Sequence, residues 1–145
     1  MNPLKFVPIA EAISSLSKDP STKVGAVIID DDSNILSTGF NGFPRGVNDF
    51  EIRYKNRDVK LKYVAHAEAN AIAQAARVGA KLLGSSLIVT ALYPCTNCAK
   101  LIIQAGIKTI YVPTMNPEST NIHWHEELIM SENMFNEAGI EIVVY

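Results

Sequence analysis

Cysteine is nearly absent from this 145-residue chain, which has only Cys95 and Cys98. A secreted disulfide framework needs more. The pair therefore points to metal or redox chemistry in a reducing, cytoplasmic setting. No apolar run nears the ~20 residues of a membrane helix. Residues 1–16 lack the charged start and continuous apolar block of a signal peptide. Basic charge is not in excess either: 13 Lys and Arg stand against 15 Asp and Glu, for a net charge of −2. That disfavours a life on nucleic-acid phosphates, so neither a nucleic acid nor a membrane is an expected partner. Glycine and proline, 8 and 7 residues, are scattered and mark no low-complexity linker. What is present is ordinary globular material, 48% hydrophobic and 19% charged. The length suits one domain over residues 1–145.

The hydrophobic pattern resolves into alternating elements. Phe6, Ile9, Ile13 and Leu16 recur in steps of three and four, which predicts a helix over 3–17, with Pro8 a poor fit to it. Residues 24–29 read as a buried strand, 30–34 as a turn and 35–40 as its hairpin partner. The glycines and proline of 41–46 make a loop, and the polar stretch 49–62 reads as loop with one helical turn. An alanine-rich helix over 66–78 follows, then a strand over 86–92 and a helix from Pro94 to Gln104. A strand over 108–113, a loop over 114–121, a helix over 124–137 and a strand over 140–144 complete the chain. Alternating helices and strands behind a hairpin predict an α/β fold: a three-layer α/β/α domain around a mixed sheet.

Four residues concentrate the chemistry. His66 and Glu68 open one helix, and Cys95 and Cys98 open the next but one element downstream. Helical side chains lean toward the N-terminus, so two adjacent helix starts can aim all four groups at one point. Two thiolates and an imidazole suit Zn2+ and leave a fourth position open for water. Zinc lowers the pKa of such a water to roughly 7, and the partial positive charge at the helix ends favours thiolates. Glu68 is then free to carry protons. His-x-Glu followed by Pro-Cys-x-x-Cys is the known signature of zinc deaminases. Two other readings of the cluster remain: a structural zinc with His123 or His125 as fourth ligand, and a redox Cys-x-x-Cys.

At these residues the chain resembles the cytidine and deoxycytidylate deaminase superfamily, with its dCMP branch the nearest. Four stretches carry the likeness: Asp19-Pro20-Ser21-Thr22-Lys23-Val24-Gly25-Ala26, Gly39 to Gly46, His66-Ala67-Glu68-Ala69-Asn70-Ala71-Ile72, and Leu92 to Ile107, which contains Pro94-Cys95-Thr96-Asn97-Cys98. The resemblance implies a cytidine-deaminase-like fold with a five-stranded sheet between helices. It implies zinc held by His66, Cys95 and Cys98, and Glu68 as the catalytic proton shuttle. It implies hydrolysis of dCMP to dUMP with release of ammonia. It also implies a nucleoside contact at Asn41 and a homo-oligomer, often a hexamer, with dCTP and dTTP as effectors near the loop of Arg45. Among further candidate substrate contacts, Arg45 has a guanidinium that matches phosphate geometry, Lys23 precedes a strand, and Tyr93 adjoins the cysteine motif. Deamination of a nucleic-acid base, as on tRNA adenosine, and a silent nucleotide-binding module are the competing functions.

Overall fold

The structure, a computed structural model, describes residues 2–115 and 122–145. A single 3-10 turn, Pro3–Phe6, leads into α1, Val7–Ser14. Pro8 is harmless there, because the first amides of a helix have no intrahelical acceptor to lose. Strands β1 (Gly25–Ile29) and β2 (Ile35–Phe40) form the expected antiparallel hairpin. Two short helices follow, α2 (Glu51–Lys55) and α3 (Arg57–Tyr63), and then α4 (Ala67–Val78). β3 (Ser86–Val89), α5 (Thr96–Gln104), β4 (Thr109–Val112), α6 (Ile122–Glu137) and β5 (Glu141–Val144) alternate to the end.

The five strands form one mixed sheet in the order β2-β1-β3-β4-β5. β1 is antiparallel to both neighbours, while β3, β4 and β5 run parallel. Alternation along β1 sends Ala26 and Ile28 to one face and Val27 and Ile29 to the other. The second face, with Ile88, is covered by Phe6 and Ala10 at the N-terminus. The first is covered by α4, α5 and α6, through Ala71, Ile102 and Phe135 among others. The fold is therefore the expected three-layer arrangement.

Close approach of backbone decides two glycines. A Cβ at Gly39 would overlap the Ala67 carbonyl and the Ala71 amide, and one at Gly25 would overlap the Ala10 carbonyl. Glycines on the strands and alanines on the helices let α1 and α4 lie almost against the sheet backbone. This contact fixes the start of α4, which matters for the site.

Two expectations are corrected. Residues 49–62 are largely helical. Asn56 caps α3 by accepting the Val59 amide at 3.2 Å, and Tyr54 stacks on Phe43 with ring centroids 4.3 Å apart. Arg53 lies 4.5 Å from the Tyr63 ring, so long-range aromatic contacts stabilise a segment whose own pattern is weak. The strand expected over 86–92 stops at Val89, because the next turn places Ala91 at φ 66, where no ladder continues. Of the loop expected over 114–121, residues 116–121 lie outside the described residues.

Candidate metal centre and cavity

The N-cap position normally carries a side chain that folds back to bond the first turn. His66 caps α4 and Cys95 caps α5, and neither side chain makes a cap bond. Both are left free to point outward. Cys98 sits one turn further along α5, and Glu68 is in the first turn of α4. The two helix starts converge as expected. The Nδ1 of His66 lies 3.4 Å from the Cys95 Sγ and 3.5 Å from the Cys98 Sγ. Glu68 Oε2 lies 3.4 Å from the Cys98 Sγ, and this carboxyl is almost fully buried.

His66, Cys95 and Cys98 offer ligand atoms that all lie within 4.8 Å of one another. Among the described residues this cluster has three members, and neither His123 nor His125 joins it. The cysteines are free thiols and not a disulfide. Two soft thiolates, one imidazole and a free fourth direction fit zinc in its open, catalytic coordination.

The electrostatics agree with that donor set. Cys95 is held well below the ordinary thiol range, chiefly by the hydrogen bond from Cys98 and then by His66. Cys98 is pushed up by the same shared hydrogen bond and by burial, since two adjacent thiols do not both ionise without a cation between them. His66 is raised, first by its hydrogen bond to Cys95. Burial pushes the Glu68 carboxyl up.

The cluster opens on a cavity of about 640 Å3, within the range that holds a small organic ligand. Asn41, Tyr93, His123, Trp124 and Glu127 line it, together with Asp19, Arg57 and Lys60. Asn41 is buried and busy. Its Oδ1 accepts the Val24 amide at 2.9 Å, and its Nδ2 donates to the Thr22 carbonyl at 2.9 Å. It thereby ties the 19–24 loop to the end of β2. Tyr93 packs edge-on against Phe135, and its buried hydroxyl has no partner among the described residues.

Arg45 and Lys23 are not in the described cavity wall. Arg45, on an exposed loop, donates to Gln74 Oε1 at 2.7 Å, and Lys23 is exposed beside β1. Three charges that do line the cavity, Arg57, Lys60 and Glu127, were not among the candidate site residues of the sequence. Lys60 Nζ lies 2.9 Å from Asp19 Oδ1 in a buried pair. Glu127 Oε1 accepts the Thr96 hydroxyl at 2.9 Å and the Thr96 amide at 3.4 Å, so α6 steadies the start of the cysteine helix. Arg57, Lys60 and Glu127 sit in segments without a sequence motif, so spacing alone gave no signal for them.

The cytidine and deoxycytidylate deaminase zinc-binding region matches residues 2–114. The chain belongs to this family. The deaminase is 43% identical over 138 residues to an "uncharacterized deaminase in luxG 3'region" of Aliivibrio fischeri, covering 95% of this chain and 89% of that one. It is 38% identical over 143 residues to the deoxycytidylate deaminase of Homo sapiens, covering 95% of this chain and 76% of that one. Among solved structures, the dCMP deaminase of cyanophage S-TIM5 in complex with dCMP and dUMP superposes with a TM-score of 0.78. That similarity spans 100% of this deaminase and 99% of the phage chain, at 28% identity. The zinc expected from the motif is therefore supported twice, by family and by donor geometry. Among the described residues, no helix of the deaminase is long and apolar enough to cross a membrane.

Proposed function

We propose that this chain hydrolyses the exocyclic amine of a free pyrimidine nucleotide, converting dCMP and water to dUMP and ammonia. The human relative is named a deoxycytidylate deaminase, and the cyanophage protein was solved with dCMP and dUMP. One observation carries the reading: a buried carboxyl, Glu68, beside a three-donor metal cluster on the wall of a nucleotide-sized cavity.

His66, Cys95 and Cys98 would hold the zinc. When bound, zinc supplies a Lewis acid that brings the pKa of water near 7. Glu68 moves the protons. It accepts one from the attacking water and delivers it to ring N3. It then takes the second from the same oxygen and gives it to the amine, whose bond to C4 breaks as ammonia leaves. Both protons of the water are accounted for, and Glu68 ends as it began. Burial raises the affinity of this carboxyl for a proton, which suits a group that must hold one between transfers. Asn41 and Tyr93 are assigned to the wall against the nucleoside. Arg45 and Lys23 carry no role in this scheme.

Residues 1–145 are read as one deaminase domain acting in the cytoplasm as a homo-oligomer, with dCTP and dTTP as effectors to be tested. Light scattering with and without these nucleotides checks the assembly. The main test is ammonia release from cytidine, deoxycytidine, CMP, dCMP and dCTP. Glu68→Ala is expected to lower turnover at least about a hundredfold while zinc content stays near one per chain. Near-normal turnover by that variant would overturn the mechanism.

A further inference from the structure

We propose that Arg57 grips the substrate's phosphate and sets the preference for nucleotides over nucleosides, an assignment that rests on the nucleotide reading above. Arg57, Lys60, Leu61 and Val64 all line the cavity. Their spacing places them along one face of α3 and its C-terminal end. This face forms a wall. At one end Val64 stands two residues before His66 and the metal donors. At 1.5 Å per residue, Arg57 stands about 10 Å from that end. That is roughly the reach of a nucleoside monophosphate from the reacting carbon of its base to its phosphorus.

The charges in the wall leave one group for the task. Arg57 and Lys60 are the only lysine or arginine among the described lining residues. Lys60 is committed to Asp19 at 2.9 Å in a buried pair. Arg57 is exposed, and among the described residues its guanidinium has no hydrogen bond or ion pair. The wall also carries the carboxyls of Asp19, Glu68 and Glu127. A phosphate placed among them is repelled, whereas a phosphate at Arg57 meets a planar fork suited to two of its oxygens. The wall thus offers metal donors beside the start of α4 and an uncommitted cation at the start of α3.

The test uses zinc-loaded protein: wild type, Arg57→Gln and Arg57→Lys. Calorimetry measures the Kd of dUMP and of deoxyuridine, and ammonia release gives kcat and KM for dCMP and deoxycytidine. Arg57→Gln is expected to shrink the preference for dUMP over deoxyuridine about ten- to a hundredfold, the worth of a charge-assisted bond. The corresponding loss on dCMP should sit in KM. Arg57→Lys should recover part of both. An unchanged preference in Arg57→Gln overturns the assignment, as does a wild type that binds dUMP no better than deoxyuridine. The binding arm needs no turnover. A wild type whose dUMP preference depends on Arg57 but that releases no ammonia would keep this assignment and sink the deamination reading. Deamination of dCMP with an unchanged preference in Arg57→Gln would do the reverse.

Discussion

Lys60→Met tests how the cavity wall is held together. The Lys60 and Asp19 side chains are 11% and 5% exposed and meet at 2.9 Å. Removing the cation leaves a buried carboxylate without its counter-charge, which commonly costs ~3–5 kcal/mol. The cost here should lie at the low end, about 3 kcal/mol. Asp19 Oδ1 also accepts the amides of Ser21 at 2.8 Å and Thr22 at 3.2 Å, and these bonds survive the substitution. The pH dependence makes the prediction sharper. Burial by itself pushes the Asp19 carboxyl up. The hydrogen bond from Lys60, the two amides and the charge of Lys60 outweigh it and bring the group below its ordinary value of 3.8. A carboxyl whose folded pKa is depressed contributes stability above its unfolded pKa and loses it as pH falls through the folded one. The gap between wild type and Lys60→Met should therefore be widest near pH 7. It should narrow through the acid range and nearly close below the depressed pKa of Asp19, once that group is protonated in both proteins. Urea unfolding at pH 7, 5.5 and 4 measures it. Loss of zinc at acid pH affects both proteins alike and drops out of the difference. The double variant Asp19→Asn/Lys60→Met should cost less than the sum of its parts, because each single change strands the other partner. A gap under about 1 kcal/mol at pH 7, or one that does not move with pH, would refute the buried-pair argument.

Two further outcomes are expected. Cys98→Ser should drop the zinc content of purified protein well below one per chain by elemental analysis, since a hydroxyl is a poor substitute for a thiolate in this donor set; full retention would mean that the metal sits elsewhere. Gly39→Ala should destabilise by several kcal/mol in thermal or urea unfolding, because the new Cβ runs into the backbone of α4 and not into a side chain that can turn away; a near-neutral effect would show that α4 can slide off the sheet at little cost.

The metal centre and the order of the layers were legible in the residue pattern alone. His66 with Glu68, and Cys95 with Cys98, are short-range pairs whose geometry follows from the helix that each begins. The alternation of strand and helix from residue 86 onward leaves few ways to arrange a parallel sheet. Which charges line the cavity depended on contacts made only in the folded chain. Arg45, in a loop rich in glycine beside Asn41, looked placed for a phosphate, yet its guanidinium is turned to Gln74. Arg57 and Lys60 sit in a polar stretch with no strong period, and they reach the cavity because Phe43, Tyr54 and Tyr63 pack α2 and α3 beside the site. A ligand set at a helix start is specified by the dihedral angles of a few consecutive residues. The direction of a charge on a surface helix depends on contacts between side chains far apart in the chain, and those exist only once it has folded.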